Sequence, residues 1–318
     1  MKNIVIADDG EWADLPWHYM KIYSKKELRE SYSHLFEKAK RFGLNFYKSN
    51  FEWYKSGKFT KGWEYNQGWK QVKGIKPDFI MDKGSLQIKN NVKWKKAFDK
   101  KKRILNPYYI EELCSNKMMT AKAYPTLVPK CFLVNNRKQL DRAMKKLGTQ
   151  KVVLKPVDGS SAKGLSIVDR NKLPGSIRKG TVAQEFVDAS CGLQGLVKGI
   201  YDLRCVTING KIVDCFIRKA PPGKLTSNLS TGGDIIWLSL NRIPKRIRDA
   251  VDKIDSKLKS YKARIYTADF VIDCSDRLWL IEMNSKPGFF FYGSRGKLDI
   301  RERFENNLIR AIKKALIA

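Results

Sequence analysis

The stretch RIYTADFVIDCSDRLWLIEMNSKPG, residues 264–288, is the most informative part of the chain. Two runs rich in β-branched, aromatic and aliphatic residues flank a short polar turn, which is the pattern of a β-hairpin. With positions 275–276 at the centre of the turn, Asp269 faces Glu282 across the two strands. Asn284 lies two residues beyond Glu282 and therefore on the same face. The sequence thus predicts two carboxylates and one amide on one face of a mostly apolar hairpin.

These three side chains are candidate metal ligands. Two carboxylates that face each other on an apolar surface repel one another and lose hydration. A hard divalent cation would remove this cost, and oxygen ligands alone suit Mg²⁺ or Mn²⁺. The sequence therefore predicts a metal site at Asp269, Glu282 and Asn284. The alternative is an edge hairpin whose two acidic side chains are solvated and bind no ion.

The composition is that of a large basic protein. The chain has 318 residues, 42% hydrophobic and 11% aromatic, which is enough for a folded protein of two or three domains. With 63 Lys and Arg residues against 32 Asp and Glu residues, the formal net charge is +31. This charge attracts anions, such as nucleotides, acidic peptides, nucleic acids or an anionic surface, without distinguishing between them. A general lysine bias would produce the same excess.

Cysteine and histidine residues are few and scattered. The six cysteines show no CxxC spacing, and several lie in apolar runs, which favours free thiols in a reducing compartment over disulfides or a zinc site. With only His18 and His34, chemistry based on histidine has little to draw on. No run of about 18 apolar residues is present, so a membrane span is not expected. We therefore expect a cytoplasmic protein.

The order of predicted elements is that of an α/β protein. A strand over 3–7 and an amphipathic helix over 25–42 open the chain. From residue 130 the pattern is βαβ-like, with a strand, a helix over 136–147 and a second strand. Prolines 125 and 129 mark a linker. The predicted domains are an N-terminal α/β domain over 1–106, a central subdomain over 107–187 and a C-terminal subdomain over 188–318.

Two segments before this linker have unusual compositions. In residues 44–72 aromatic side chains alternate with Lys and Gly, which suits either a base-stacking platform or a small local core. Residues 83–103 hold nine basic residues and one acid, Asp99, around a predicted helix. Its basic side chains form either a solvated face or a docking surface for an acidic substrate. The lysines chosen for the docking surface are Lys95, Lys96, Lys100 and Lys101.

The stretch KVVLKPVDGSSAKG, residues 151–164, is a candidate phosphate site. It predicts a strand that ends at Lys155, followed by a loop of small residues that includes Gly159, Ser160 and Ser161. Backbone amides of such a loop can approach phosphate groups, and Lys155 supplies positive charge. A predicted strand follows, so the stretch is not a Walker P-loop. An ordinary hairpin turn with a surface lysine is the alternative.

Two further stretches carry polar groups on predicted strands. The backbone of the strand over 181–187 could hydrogen-bond an adenine edge, although a buried strand would look the same. Arg204 and Arg218 lie on neighbouring strands and could stabilise charge on a transferred phosphoryl group. The alternative is that the two arginines form structural salt bridges with Asp202 and Asp214.

These pieces occur in a specific order, and only their combination is distinctive. In sequence they are Lys117, Lys155-Pro156 with its small-residue loop, Gln184-Glu185-Phe186-Val187, Asp202-Leu203-Arg204, Arg218, Asn228 with Gly232-Gly233, Asp269, Glu282-x-Asn284 and Pro287-Gly288. In this order and spacing the chain resembles the ATP-grasp ligases. The branch that it most resembles contains bacterial glutathione synthetase and the ribosomal-protein glutamate ligases. The resemblance runs from about residue 104 to 290.

The resemblance implies a fold, cofactors and site residues. The fold is α/β (α+β), an ATP-grasp fold whose C-terminal subdomain is built on an antiparallel sheet, and the cofactors are ATP and Mg²⁺, or Mn²⁺ in its place. The groups that would hold the phosphates are Lys117, Lys155, Gly159, Ser160 and Ser161. Those around the adenine are Gln184, Glu185, Phe186 and Val187, with Asp188 a candidate for the ribose. The metal ligands are Asp269, Glu282 and Asn284, and the groups facing the reacting carboxylate are Arg218, Arg204 and Asn228.

The implied reaction joins a carboxylate to an amine. ATP converts the carboxylate to an acylphosphate, and the amine attacks it to give an amide, ADP and phosphate. The amine partner would be an amino acid, a peptide or an acidic protein tail; nucleic acid is not expected, and a homo-oligomer is left open. The rival prediction is a basic protein that binds nucleic acid or acidic protein through residues 44–103, with a structural or degenerate nucleotide site.

Overall fold

The computed structural model of the protein describes residues 1–9, 25–86, 88–159, 164–227, 232–288 and 298–317, with the backbone alone for residues 25–29. The chain forms two compact units. The first unit consists of residues 1–110, 258–265 and 286–318. The second unit consists of residues 111–257 and 266–285. Within the described residues, no helix is long and apolar enough to cross a membrane.

The secondary structure follows the predicted order closely. The helices of the described residues are α1 (Lys25–Lys40), α2 (Lys89–Lys100), α3 (Tyr108–Ser115), α4 (Lys117–Ala123), α5 (Arg137–Met144), α6 (Lys245–Ser256) and α7 (Leu298–Ile317). The strands are β1 (Lys2–Asp8), β2 (Leu44–Asn50), β3 (Tyr54–Lys55), β4 (Lys58–Tyr65), β5 (Trp69–Ile75), β6 (Phe79–Asp82), β7 (Ile104–Leu105), β8 (Cys131–Val134), β9 (Lys151–Pro156), β10 (Ser166–Asp169), β11 (Thr181–Glu185), β12 (Tyr201–Ile208), β13 (Lys211–Lys219), β14 (Asp234–Trp237), β15 (Ile265–Ile272) and β16 (Leu278–Asn284).

The first unit is built on a seven-stranded sheet whose central part is parallel. Strand β1 lies between β2 and β6 and is parallel to both. Residues 4–7 of β1 are fully buried, as expected for a parallel strand that is covered on both faces. Helix α7 belongs to the same unit: its Leu308 is fully buried, and its Glu305 accepts a hydrogen bond from Nδ1 of His34 at 2.8 Å.

The aromatic segment 44–72 forms antiparallel strands and packs inward. Phe51 and Phe59 are buried in one hydrophobic cluster, and Tyr47 and Tyr54 pack against it. The Tyr54 ring lies 4.8 Å from the Trp94 ring of α2, in an edge-to-face arrangement. The local-core alternative is therefore the one that the structure supports, because these rings pack against one another.

The basic helix α2 is amphipathic, and the prediction that Lys95 lies on its surface is wrong. Lys95 is fully buried, and its Nζ lies 3.0 Å from Oδ2 of Asp82. The same ammonium donates a hydrogen bond to the carbonyl oxygen of Gly84 at 2.5 Å. Lys95 thus belongs to the interior, where its charge is paired. Lys93, Lys96 and Lys100 are exposed.

The second unit contains two sheets. The four-stranded sheet has the order β10-β9-β11-β8, and α5 packs on it through a cluster that includes Leu140 and Met144. Because β11 is antiparallel to both β8 and β9, the β8–α5–β9 segment is a βαβ unit with β11 inserted between its strands. The five-stranded sheet has the order β14-β13-β12-β15-β16. Separate central and C-terminal subdomains, with the predicted boundaries, remain a proposal that these two sheets support.

The hairpin β15–β16 pairs Asp269 with Glu282 as predicted, but the turn differs from the prediction. The loop has three residues, 274–276, with hydrogen bonds from the Asp276 N–H to the Asp273 carbonyl and from the Asp273 N–H to the Arg277 carbonyl. Asp276 has a φ of 63°, which is usual for the last residue of such a loop. A register shift after Asp269 places Phe270 opposite Leu280. The extra residue at position 281 therefore offsets the longer turn and restores the Asp269–Glu282 pair.

Candidate active site

A buried group of two acids and two arginines lies on β12, β13 and β15; we call it the carboxylate–arginine cluster. Arg204 holds Asp269 with two hydrogen bonds, from Nε to Oδ1 at 2.7 Å and from Nη2 to Oδ2 at 2.6 Å. Arg218 donates from Nη2 to Oδ2 of Asp269 at 2.6 Å and from Nε to Oδ1 of Asp202 at 2.6 Å. Both arginines therefore meet at Asp269, the residue that the hairpin pairs with Glu282.

The charges in this cluster settle which groups are ionised. Burial alone would raise the pKa of the Asp269 carboxyl, yet Arg204 and Arg218 outweigh burial and hold that pKa below its usual value. For Asp202 burial dominates, and its pKa is raised despite the attraction of Arg218. Burial opposes the charge of Arg218, but its two carboxylate partners raise the pKa of its guanidinium above the usual range. Asp269 is thus an anion even in the absence of a metal ion.

A second group of charges surrounds Lys155 at the end of β9, in a pocket that we call the lysine pocket. Its polar and charged lining residues come from four elements, and apolar side chains complete it. The main lining residues are Lys117, Cys131, Lys155, Gln184, Ile281, Glu282 and Met283. The Lys155 side chain is buried, and its Nζ lies 3.4 Å from the Ile281 carbonyl oxygen. Glu282 therefore belongs to both groups, since it also faces Asp269.

The environment of this pocket lowers the pKa of both Lys117 and Lys155. Burial lowers the pKa of Lys155 to about 8, with Lys117 acting in the same direction and Glu282 against it. The pKa of Lys117 is also lowered, mainly by burial, and Glu282 and Asp158 oppose the shift. Two ammonium groups that repel each other around one carboxylate favour the arrival of further negative charge. A polyphosphate supplies such charge.

The small-residue loop begins beside Lys117. The Nζ of Lys117 donates a hydrogen bond to the Gly159 carbonyl at 3.0 Å, and its backbone N–H donates to the Val157 carbonyl at 3.0 Å. Gly159 has a φ of 136°, a conformation that L side chains rarely adopt. These contacts join the start of α4 to the base of the loop. The predicted phosphate ligands Ser160 and Ser161, like Asn228 of the predicted catalytic set, lie outside the described residues.

The predicted adenine-binding residues separate in the structure. Gln184 is buried in the lysine pocket, where its amide donates to the Pro129 carbonyl at 3.3 Å. The Glu185 carboxylate instead accepts a hydrogen bond from the Gly148 N–H at 2.9 Å. Phe186 lines a different cavity of about 490 Å³, together with Asp188. Val187 is not among the lining residues of either space.

Two members of the site, Asp202 and Ser227, were not predicted as site residues. Asp202 was considered only as a salt-bridge partner and within the Asp202-Leu203-Arg204 motif, yet it is part of the carboxylate–arginine cluster and also accepts a hydrogen bond from the Ser227 hydroxyl. The strand pairing could have shown this, because Asp202 faces Arg218 directly and shares a face with Arg204. Of the structural salt bridges in the alternative, the one between Arg218 and Asp202 is present, and Arg204 pairs with Asp269. The buried Asp214 accepts a hydrogen bond from the Cys215 N–H.

The oxygen atoms at the hairpin fit a hard divalent cation. A carboxylate offers about four lone-pair positions. Asp269 uses one on Oδ1 and two on Oδ2, which leaves Oδ1 able to bind an ion. Within the described part of the chain, Glu282 accepts no hydrogen bond, so its oxygens are available too. Asn284 lies opposite Thr267 on the same face of the hairpin and adds an amide oxygen.

Half of the chain, in round terms, matches a known protein family. Residues 116–273 match the family described as prokaryotic glutathione synthetase, ATP-grasp domain. A probable alpha-L-glutamate ligase of Shewanella pealeana is 27% identical over 177 residues, which are 54% of this chain and 34% of the relative. Against the first three curated relatives, the matched part of the chain spans between 34% and 56% of their length.

Solved structures share the fold over nearly the whole chain. One is a Chryseobacterium gregarium RiPP-associated ATP-grasp ligase in complex with ADP and a leader and core peptide, with a TM-score of 0.60, 13% identity and coverage of 98% of this chain and 97% of that one. Another is D-alanyl-alanine synthetase A of Vibrio cholerae, with a TM-score of 0.60, 12% identity and coverage of 100% and 99%. The chain thus has an ATP-grasp fold, and its residues 116–273 match the ATP-grasp domain of prokaryotic glutathione synthetase.

Proposed function

We propose that the protein is an ATP- and Mg²⁺-dependent carboxylate–amine ligase, which forms an amide through an acylphosphate and releases ADP and phosphate. The observation that carries the proposal is the position of Glu282. It faces Asp269 on the neighbouring strand and lines the same pocket as Lys117 and Lys155. Glu282 therefore lies next to both the oxygen ligands for a metal and the ammonium groups for phosphate. A metal–nucleotide complex needs both kinds of group close together.

The residues of the site have distinct roles in this proposal. Lys117 and Lys155 hold the phosphates, and Asp269, Glu282 and Asn284 hold the metal. The metal, when bound, neutralises phosphate charge and polarises the reacting phosphoryl group. Arg204 and Arg218 each give two of their five N–H groups to aspartates, and the remaining N–H groups can face the carboxylate that is phosphorylated. Asn228 is proposed beside them on the basis of the family resemblance alone.

Positioning and charge account for this chemistry without a histidine or cysteine nucleophile. The acylphosphate is assembled from two anions, so each fixed cation lowers the cost of bringing ATP and the carboxylate together. Asp202 and Asp269 hold the two guanidinium groups at fixed distances of 2.6–2.7 Å before substrate arrives. This preorganisation is what the site contributes to the reaction.

For the substrates, we propose an amino acid or peptide amine, with an acidic peptide favoured. The support is the formal charge of +31, which far exceeds what the site itself needs, and the peptide complex of the C. gregarium ligase. The exposed lysines of α2 (Lys93, Lys96, Lys100) and the adjacent Lys101 are the proposed docking surface. Single amino acids, which the names of the glutamate ligase and the D-alanyl-alanine synthetase indicate, are the smaller alternative substrates. A cytoplasmic location is proposed with this activity, on the basis of the free cysteines.

The rival function, nucleic-acid binding through residues 44–103, loses its main support. Phe51, Phe59 and Phe98 of this segment pack in the core of the first unit, and Lys95 is buried. A residual basic surface remains, and salt-sensitive binding to a polynucleotide is the measurement that would revive the rival.

The deciding experiment is ADP release by the purified protein with Mg²⁺ and ATP, across a library of amino acids and peptides. We expect release that depends on both a carboxylate and an amine, with a product heavier by one amide-linked unit. ATP hydrolysis that no member of the library stimulates, together with no new amide product, would contradict the proposed activity.

A further inference from the structure

Two exposed cysteines lie side by side in the second unit. Cys191 belongs to the connection between β11 and β12, and Cys274 is the first residue of the turn between β15 and β16, 83 positions further along the chain. The backbone N–H of Cys191 donates to the Sγ of Cys274 at 3.2 Å. The Ser190 hydroxyl lies 3.7 Å from the same sulfur.

Backbone contacts hold the two segments together. The Cys274 N–H donates to the Asp188 carbonyl at 3.0 Å, and the Ser190 N–H donates to the Asp188 carboxylate at 2.9 Å. The Cα of Cys191 is about 1.46 Å from its own nitrogen, and so lies close to the Cys274 sulfur. A disulfide needs Cα atoms about 4.4–6.8 Å apart, and the backbone contacts between the two segments favour such an approach.

The two thiols differ in chemical character. A hydrogen bond with the Cys191 thiol is the main reason that the pKa of Cys274 is lowered. Burial opposes this shift, and hydrogen bonds from the Cys191 N–H and from Ser190 support it. The same hydrogen bond raises the pKa of Cys191 to about 11. Since the thiolate is the reactive form, Cys274 has the character of an attacking thiol and Cys191 that of a resolving one.

We propose that Cys191 and Cys274 form a reversible redox site, which low-molecular-weight disulfides such as oxidised glutathione convert to an intramolecular disulfide. The Cys274 thiolate attacks one sulfur of oxidised glutathione and releases one glutathione thiolate. Cys191 then loses its proton to solvent, and its sulfur attacks the Cys274 sulfur of the mixed disulfide and releases the second glutathione. Two protein thiols are thus oxidised to one disulfide, and one glutathione disulfide is reduced to two thiols.

A second close pair of cysteines provides an internal control. The sulfurs of Cys205 and Cys215 lie 3.7 Å apart on neighbouring strands, but both residues are fully buried. Burial raises the pKa of Cys215 well above its usual value. Without access or thiolate character, this pair does not react with a soluble disulfide in the folded protein.

Oxidation would tie two functional segments together covalently. The connection that contains Cys191 begins at Phe186 and Asp188, which line the cavity of about 490 Å³. The turn that contains Cys274 closes the hairpin that carries Asp269 and Glu282. The redox site goes beyond the proposed ligase activity and does not depend on it.

The test is titration of the folded protein with mixtures of oxidised and reduced glutathione, followed by intact mass and peptide mapping without reduction. We expect the wild type to lose the mass of two hydrogen atoms, with a link between the peptides of Cys191 and Cys274. Dithiothreitol should restore the original mass. The Cys205–Cys215 pair should stay reduced throughout.

Two single variants separate the roles of the thiols. Cys191→Ser should stop at a mixed disulfide and gain one glutathionyl group on Cys274. Cys274→Ser should react much more slowly, because it removes the sulfur that the Cys191 N–H and the Ser190 hydroxyl contact. Equal rates for the two variants, an unchanged wild-type mass under oxidising mixtures, or a link between other cysteines would overturn the proposal. The wild-type map decides the question even if a variant fails to fold.

Discussion

Among single residues, Glu282 is where metal and phosphate functions meet. Glu282→Gln keeps the size of the side chain and removes its charge, so it should lower Mg²⁺-dependent ATP turnover by about a hundredfold or more, since metal-ion stabilisation is worth several kcal/mol. Steady-state ADP release measures this effect. Glu37→Gln, the same change at an exposed position of α1, is the control. Wild-type turnover in Glu282→Gln would remove Glu282 from the metal site.

The two paired carboxylates should differ in their effect on stability. Repulsion between them alone would make either neutral variant more stable. Glu282, however, lies beside Lys117 and Lys155, so its loss should lower the nucleotide-free melting temperature slightly. Asp269→Asn should cost about 3–5 kcal/mol, because it leaves Arg204 and Arg218 buried without their shared partner. Differential scanning calorimetry would show the contrast, and equal melting temperatures would contradict it.

Lys155 gives the site a pH dependence. Its pKa of about 8 lies below the usual value, so the ammonium is lost as the pH rises through about 8. Bound phosphate favours the charged form and raises this pKa, so the apparent Kd for ATP should increase towards about tenfold per pH unit above pH 8. Calorimetric titrations from about pH 7 to about pH 9.5 test this expectation. Lys155→Arg stays charged and should give a flatter profile; parallel profiles would assign the titration to another group.

At the level of elements, helix α2 carries the proposed docking surface. Reversal of Lys93, Lys96, Lys100 and Lys101 to Glu should raise the KM for an acidic peptide and flatten its salt dependence. The KM for ATP should stay within about twofold, because exposed charges act mainly on encounter. Steady-state kinetics at two salt concentrations provide the measurement. If all KM values remain at their wild-type level, these lysines are only solvated.

Periodicity predicted most elements, because buried strands and amphipathic helices leave a direct trace in sequence. It could not place Lys95, since a lysine within a basic run looks solvated until its partner Asp82 is seen across the fold. The predicted Asp269–Glu282 pair is correct although the predicted turn is too short. The extra residue at position 281 offsets the longer turn. The arginine pairs of Asp269 were equally hidden, because Arg204 and Arg218 are 65 and 51 residues from Asp269 in sequence.

At the level of the whole molecule, the first unit depends on the end of the chain. Leu308 of α7 is fully buried there, so Leu308→Ala should cost about 2–5 kcal/mol and lower the melting temperature of this unit. Arg310→Ala, at an exposed position of the same helix, should have little effect. Denaturant unfolding of both variants provides the test. If Leu308→Ala matched Arg310→Ala, the packing of α7 would contribute little to stability.

The discontinuous first unit also has a consequence for biosynthesis. The ribosome makes residues 1–110 before the second unit, but their unit also needs residues 258–265 and α7, and α7 follows the second unit in the chain. The second unit, complete at residue 285, can fold while the first is still unfinished. We therefore expect the usual N-terminal-first order to be reversed. Proteolysis of nascent chains stalled after residue 285 should spare the second unit and cut the first. The N-terminal strands thus lack part of their packing surface while the second unit is already folded.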